Sequence, residues 1–155
     1  MRILNKLVRF PISISGRIFV DANGTPVPAN GEAGWVCPIA LTSGEIVSYL
    51  NNRQSKGFTA NLIEIDATDF IPSPPNNVYG VGPFTTPNDF STPNPAYFNH
   101  IDFFINEAKA RNMVVFATPA YFGFNSTEGW RDEMVASTNY AVSVYGQYVA
   151  DRYKN

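Results

Sequence analysis

Carboxylates and aromatic rings recur together where the apolar, strand-like runs of this sequence end. The set consists of Glu32, Trp35, Glu64, Asp66, Tyr121, Glu128 and Trp130, with Tyr79 in a long loop. An aromatic face packs against the C–H surface of a polyhydroxylated molecule, while a carboxylate accepts hydrogen bonds from its hydroxyl groups. These residue types in this pattern therefore predict a binding site for a neutral sugar. For any single carboxylate, an ordinary solvated or capping role is the alternative.

The segment 77–100, NVYGVGPFTTPNDFSTPNPAYFNH, supports the same interpretation. It carries five aromatic residues and four prolines but a single charged side chain, Asp89. Prolines reduce the conformational freedom of the unfolded chain, and a stiff, uncharged aromatic wall suits a neutral ligand. The alternative is that these rings only fill the mouth of a packed core. Composition alone does not separate the two.

Other catalytic and metal-binding patterns are missing from the sequence. Cys37 is the only cysteine, which excludes an internal disulfide and predicts a small packed side chain. His100 is the only histidine, and its place in a helical pattern predicts a packed, hydrogen-bonded ring rather than part of a catalytic triad. No glycine-rich phosphate loop is present. We therefore expect no metal and no cofactor.

Size and charge restrict the classes of partner. The chain has 155 residues, enough for one domain with a packed core, and a formal net charge of −2. It has no basic cluster, whereas nucleic-acid binding needs a concentrated positive surface. No apolar run approaches the roughly 18 residues of a membrane span. Residues 1–15 lack the clean apolar segment and the cleavage site of a signal peptide, so localisation stays open.

A leading hairpin and three strands are predicted from local patterns. Strand formers over 18–20 precede an Asn23–Gly24 turn signal, which predicts the hairpin. The first strand of a sheet is expected to end near 30–35. Two apolar runs with little charge, 58–65 and 113–120, then predict strands that are covered on both faces.

Three helices alternate with these strands. Thr42 and Glu45 fit the capping-box pattern that begins a helix, and Gly57 is suited to end it. Asn94 and Pro95 are a capping residue and a proline at the first helical position, so a second helix is expected to begin there. One face of a third helix is formed by Ala141, Val142, Tyr145, Tyr148, Val149 and Arg152.

The order of these elements predicts the fold class, which is α/β. Strands that alternate with helices form right-handed parallel βαβ units. The long loops, 66–93 and 121–134, follow strands, as in a (β/α)8 barrel; a doubly wound sheet shares this asymmetry but usually has a phosphate loop. A full barrel needs about 200 residues or more. Three βα units with a leading β-hairpin therefore predict the N-terminal half of a (β/α)8 TIM barrel.

Six sequence motifs resemble those of a known family. They are GRIFVDANGTPV, GEAGW, NLIEI, NVYGVGPFTTPNDFSTPNPAYFNHIDFFINEA, TPAYFGFNSTEGW and YGQYVADRYKN. Together they resemble the N-terminal part of the apiosidase-like glycoside hydrolase family, formerly a domain of unknown function. The resemblance runs over residues 16–155 and implies an incomplete TIM-barrel glycoside hydrolase-like domain, with residues 1–15 as an N-terminal extension.

The resemblance implies an activity and the positions of its catalytic groups. The family hydrolyses glycosidic bonds, and plant cell-wall pectin side chains are one of its substrate classes. Its acid/base is an aspartate in a Gly-Gly-Asp-like segment at strand four, and its second carboxylate comes from strand seven. This sequence ends at DRYKN, before that fourth strand. No catalytic residue is therefore assigned, and the isolated chain is expected to be inactive.

The resemblance also bears on single residues and leaves two further functions open. Glu32 stands where many relatives have aspartate, which implies that it accepts a hydrogen bond from a substrate hydroxyl. The residue after Glu64 is isoleucine, where close relatives often have histidine. One alternative to an enzyme is a carbohydrate-binding module without chemistry. The other is a half-barrel that depends on assembly, because unpaired strand edges favour self-association.

Overall fold

The computed structural model describes residues 12–124 and 128–154. The elements, in chain order, are β1 (Ser13–Ser15), β2 (Ile18–Val20), β3 (Gly31–Trp35), α1 (Cys37–Ala40), α2 (Ser43–Ser55), β4 (Ala60–Glu64), α3 (Pro95–Ala110), β5 (Val114–Thr118), α4 (Arg131–Ala136) and α5 (Asn139–Tyr153). Long segments of irregular backbone follow β4 and β5, whereas the chain passes from α2 to β4 and from α3 to β5 in a few residues.

Three parallel strands form the central sheet. β4 pairs with β3 on one side and with β5 on the other, in the order β3–β4–β5. The register places Ala60 beside both Gly31 and Val114, and the β3 pairing shifts between Ala33 and Trp35. Parallel pairing with a helix between consecutive strands confirms the predicted α/β class and the βα order. The carboxyl ends of all three strands therefore lie at one edge of the sheet.

The helices α2 and α3 begin where their predicted caps lie. Thr42 and Glu45 form the capping box: the Thr42 amide donates to Glu45 Oε2 at 2.9 Å and the Glu45 amide donates to Thr42 Oγ1. Asn94 Oδ1 accepts from the Ala96 amide at 3.1 Å, with Pro95 in the first turn. Gly57 adopts a φ of +81° just after α2, a conformation that favours glycine.

Buried apolar side chains of these helices pack against one face of the sheet. They include Ile46 and Leu50 of α2, Ile101 and Phe104 of α3, and Ile63 of β4. Each is fully buried, and together they belong to one continuous core. This core fixes the sheet, so that the segments following β4 and β5 are held at its carboxyl edge.

The leading hairpin differs from its predicted form. β1 pairs with β2 across a turn at Gly16, a pairing that the sequence did not predict. The predicted Asn23–Gly24 turn is present, because Gly24 donates to the Asp21 carbonyl at 2.8 Å with a φ of +74°. The predicted division between residues 15 and 16 falls inside the β1–β2 hairpin, and the first eleven residues of the predicted extension lie outside the described residues.

The hairpin covers the other face of the sheet near the strands' amino ends. Phe19 of β2 packs on Phe116 of β5, with ring centres 5.4 Å apart, and Val27 contacts Ala60 and Val114. Two short helices, α1 and α4, were not predicted, and α4 lies in a segment predicted as a loop. In the part of the chain that the structure describes, no helix is long and apolar enough to cross a membrane.

Candidate functional site

Three aromatic rings lie together at the carboxyl edge of the sheet. Trp35 is the last residue of β3, Phe70 lies in the loop after β4, and Tyr121 follows β5. The Tyr121 ring meets both others edge to face, with centroid distances of 5.8 Å to Trp35 and 5.8 Å to Phe70. Phe70 is 60% exposed, and Trp35 and Tyr121 are partly exposed. We call these three rings the aromatic platform.

Phe70 is held in an unusual backbone conformation. Its φ is +63°, in the left-handed region that residues with a side chain rarely adopt. Such conformations cost of order 1–3 kcal/mol and cluster at ligand-binding and active sites. The conformation turns a large apolar ring toward solvent beside Tyr121. The platform is therefore a feature that the fold maintains against a local cost.

Two carboxylates flank the aromatic platform. Glu128 Oε2 accepts from the Tyr121 hydroxyl at 3.2 Å and from the Phe124 amide at 3.3 Å. Asp69, next to Phe70, accepts from the Gly129 amide at 2.7 Å and from the Thr68 hydroxyl at 2.9 Å. Both side chains are partly exposed. The platform thus has hydrogen-bond acceptors beside it, as a sugar site requires.

A tight turn joins the loops that follow β4 and β5. Gly129 has a φ of +72°, and a Cβ added to it would lie 2.4 Å from the Tyr121 carbonyl oxygen. Its amide bonds to Asp69, and the next amide, that of Trp130, donates to the Tyr121 carbonyl at 2.7 Å. Only glycine fits this position. The turn fixes Tyr121 and Asp69 relative to each other.

Two further carboxyl groups lie buried at the same edge of the sheet. Glu64 ends β4 and Asp66 follows it, and both are fully buried. Their oxygens have no hydrogen-bond partner among the described residues. Burial, and then the charge of Asp69, raises the pKa of Glu64 to about 7. Burial raises the pKa of Asp66 well above its ordinary value, and the nearby Trp130 indole and Tyr145 hydroxyl offset only part of that rise.

Trp130 closes this buried region from the side of the loops. It is 1% exposed, and its ring packs on Phe84 and Phe90 with centroid distances of 5.6 and 5.5 Å. Phe84 and Phe90 also contact the Tyr145 ring of α5. In this structure Trp130 is a core residue, so it supports the site from below. Phe84 and Phe90, two aromatic residues of the long loop, are therefore part of the packed core and do not line a ligand site.

Glu32 is not brought to the platform. It is the second residue of β3, so its predicted place at the strand's end is wrong. Arg53 of α2 donates to its Oε2 at 2.6 Å, and the Tyr49 hydroxyl donates to its Oε1 at 2.5 Å. Side chains alternate between the two faces of a strand, and Glu32 faces the helices. Its carboxylate is engaged in joining β3 to α2.

Tyr79 lies beside the helices, next to the first turn of α2. The Ser43 amide donates to its hydroxyl oxygen at 3.0 Å, and its ring meets His100 of α3 edge to face at 5.0 Å. The ring is 55% exposed. His100 is buried and bonds through Nε2 to the Leu41 carbonyl at 2.9 Å, which confirms its predicted packed role.

The sequence interpretation missed Phe70 and Asp69. Both lie in DATDFIPSPP, which was predicted only as part of a loop. The signal that could have found them is the repeat of an acid beside an aromatic residue just after a buried strand. Among the described residues, no group of three or more histidine, cysteine or acidic side chains is placed to hold a metal.

Comparisons with known proteins match the chain to a family and to part of a larger fold. Residues 13–155 match the family model described as "Apiosidase-like, catalytic domain". A glycoside hydrolase family 5 protein from Bacteroides vulgatus ATCC 8482 has a similar structure, with a TM-score of 0.73 and 24% identity over 93% of this chain. A second structure, described as "Glycoside hydrolase", gives a TM-score of 0.72 and 23% identity over 96% of this chain.

These structural matches cover only part of the other proteins. The chain spans 30% and 32% of the lengths of the two solved structures. At this level of identity the likeness concerns the fold. No curated protein matches the chain.

Proposed function

The chain belongs to the apiosidase-like catalytic domain family, and on that premise we propose that it forms the sugar-binding N-terminal part of a glycoside hydrolase. It is a glycoside hydrolase-like domain whose structural relatives are about three times as long, which fits a partial domain. The observation that carries the proposal is the aromatic platform with Asp69 and Glu128 beside it. By the family resemblance, the proposed ligands are plant-type polysaccharide side chains.

For the architecture, we propose that the chain supplies the first three βα units of a (β/α)8 barrel. The parallel order β3–β4–β5, with helices between the strands, supports this. In such barrels the ligand binds at the carboxyl ends of the strands, where the platform lies. We propose that the domain begins at residue 13 rather than 16, because β1 pairs with β2 and the family match begins there.

The residues predicted to bind sugar differ in how far they are buried, and this divides them into ligand contacts and supporting residues. Trp35, Tyr121 and Glu128 are accessible and would contact the ligand together with Phe70 and Asp69. Glu64, Asp66 and Trp130 lie beneath these residues and would support them. Tyr79 would offer a separate exposed ring near α2, and Glu32 would hold β3 to α2. This division follows from burial and from the hydrogen bonds of each side chain.

We further propose that the isolated chain does not hydrolyse glycosidic bonds. Hydrolysis requires two carboxyl groups on opposite sides of the scissile bond, one protonating the leaving group and one attacking it or activating water. Glu64 and Asp66 are both buried, and Glu128 and Asp69 are both bound to backbone amides. The family resemblance assigns the acid/base to an aspartate of a fourth strand and the second carboxylate to strand seven, so it gives none of these four carboxyl groups a catalytic role.

Removing one platform ring is expected to weaken sugar binding. Replacing Tyr121 or Phe70 by alanine removes the ring and about 50 Å² of apolar contact, which corresponds to roughly tenfold in Kd. We would titrate the chain with β-1,4-galactotetraose and α-1,5-arabinotetraose by isothermal calorimetry. The matched control is Tyr140→Ala, because Tyr140 is 73% exposed on α5 and outside the platform.

If Tyr140→Ala weakens sugar binding as much as the platform variants do, the platform is not part of the binding site. Absence of binding to both sugars would refute the proposed function.

The same experiment also tests the alternative that the chain is a half-barrel that functions only after self-association. β3 and β5 are the outer strands of the sheet as described, and exposed edges of this kind pair with other chains. If association decides binding, the isotherm depends on protein concentration.

A further inference from the structure

Charge is unevenly distributed between the two ends of the sheet. In parallel βα units the helices run opposite to the strands, so helix ends lie at the strands' amino edge. Cations sit there in the last turns of α2 and α3 or just beyond them: Arg53, Lys56, Lys109 and Arg111, of which Arg53 and Arg111 pair with Glu32 and Glu107. The two cations at the end of α5, Arg152 and Lys154, pair with Asp102 and Asp151. Arg17 lies in the β1–β2 turn, in the hairpin that covers the amino ends.

Acidic side chains are more frequent at the opposite edge, and two of them, Asp69 and Glu128, flank the aromatic platform. They occupy loops after strands and first turns of helices: Glu45, Asp69, Asp89, Glu128, Asp132 and Glu133. Among the cations that the structure describes, only Arg131 lies at this edge, and it pairs with Asp132 at 3.3 Å. The two carboxylates that flank the platform, Asp69 and Glu128, therefore make its surroundings negative.

The buried Glu64 is an independent sign that polar ligand groups belong here. Neither of its oxygens has a hydrogen-bond partner among the described residues. Glu64 is the last residue of β4, the strand between β3, which ends at Trp35, and β5, which precedes Tyr121, so its carboxyl lies at the same edge as the platform. A buried carboxyl without a donor costs free energy, which a hydroxyl-bearing ligand or the water molecules it brings can offset.

From this distribution of charge we propose that the sugar unit bound on the aromatic platform is neutral, and that uronates are rejected there. The inference rests on the proposed function and specifies its substrate class. Hydroxyl groups of a neutral sugar donate to Asp69 and Glu128 without bringing charge. A uronate carboxylate places a third negative charge beside these two, and like charges oppose binding. An Asp or Glu cluster alone would accept any cation, whereas the rings require a C–H face.

A pair of ligands that differ in charge alone tests this inference. We would compare β-1,4-galactotetraose with the same tetrasaccharide after oxidation of its C6 hydroxyl groups to carboxylates, by calorimetry at pH 7.5 and low salt. The oxidised form is expected to bind at least about tenfold more weakly. Added salt at about 0.5 M should reduce the difference in affinity between the two tetrasaccharides, because ions screen exposed charges.

Isosteric variants locate the repulsion. Asp69→Asn and Glu128→Gln keep an oxygen acceptor for Gly129 and Tyr121 but remove a charge. Each should therefore reduce the ratio of the Kd of the oxidised tetrasaccharide to that of the neutral one by about threefold or more. Asp151→Asn, near the end of α5 and outside the platform, should leave the difference in Kd between the two tetrasaccharides unchanged. Equal binding of both tetrasaccharides to the unaltered chain overturns the inference and leaves the proposed function standing. Failure of both tetrasaccharides to bind overturns the inference together with the proposed function.

Discussion

Replacing Glu64 by glutamine is expected to stabilise the chain at high pH relative to low pH. The change that this substitution makes in the free energy of unfolding should be about 3 kcal/mol more favourable at pH 8.5 than at pH 4. The pKa of Glu64 is about 7 in the folded chain, because burial and the charge of Asp69 both disfavour its ionised form. In the unfolded chain the same group ionises near pH 4.5. Below that pH both states are protonated, so the group contributes no pH dependence there.

Between pH 4.5 and pH 7 the unfolded chain releases the Glu64 proton while the folded chain keeps it. Ionisation then favours the unfolded state, and the stability of the native sequence falls until the folded group also ionises. Asp66, whose pKa is also raised by burial, adds a fall of the same sign. Titratable groups that act on this pair are Asp69, Tyr97, Tyr121 and Tyr145.

Urea unfolding from pH 4 to pH 8.5 measures this prediction. Asp132→Asn is the control, because Asp132 is exposed on α4 and should leave the pH slope unchanged. If Glu64→Gln shows the same slope as the native sequence, Glu64 ionises in the folded chain as it does in the unfolded one. The account of a buried, unpartnered carboxyl at the same edge as the platform would then fail.

Truncating Trp130 to alanine is expected to cost about 3–5 kcal/mol of folding free energy, because a fully buried aromatic side chain leaves a large cavity. The ring is enclosed by Phe84 and Phe90 at 5.6 and 5.5 Å, and its N–H lies near the carboxyl of Asp66. Trp130→Phe fills most of the volume and should cost distinctly less. It also removes the indole N–H, which lowers the pKa of Asp66, so the ionised form of Asp66 becomes less favourable.

Phe124→Ala is the matched control for the Trp130 variants. Phe124 belongs to the same loop but is 92% exposed, so its removal should change stability by no more than about 0.5 kcal/mol. Thermal and urea unfolding of the three variants give the comparison. A loss below about 1 kcal/mol for Trp130→Ala would show that the ring is not packed as described, and its direct contact with sugar would regain support.

The elements that the sequence predicted are those with strong local signals. The capping box at Thr42, the Asn94–Pro95 start and the Gly57 stop each depend on residues within one turn, and all three are confirmed. α1 and α4 were missed because helices of four and six residues carry too few apolar repeats to show a period. β1 was missed because three residues give no alternation to recognise.

The candidate site was less accessible to sequence reasoning, because it depends on which way side chains face. Trp130 lies in a polar segment, and only packing on Phe84 and Phe90, about forty residues earlier, makes it a core residue. Glu32 was expected at a strand's end, but β3 continues to Trp35 and directs the carboxylate toward Arg53. Phe70 depends on a left-handed backbone that composition does not reveal.

The chain is proposed to bind sugar without cleaving it, and release of reducing ends is the measurement that tests this most directly. The isolated chain would be incubated with β-1,4-galactan, α-1,5-arabinan and pectin side-chain oligosaccharides, and new reducing ends counted over a day. The account predicts no release above that of a heat-inactivated sample. Steady release that Glu64→Gln or Glu32→Gln abolishes would contradict it, because the catalytic pair would then lie within these 155 residues.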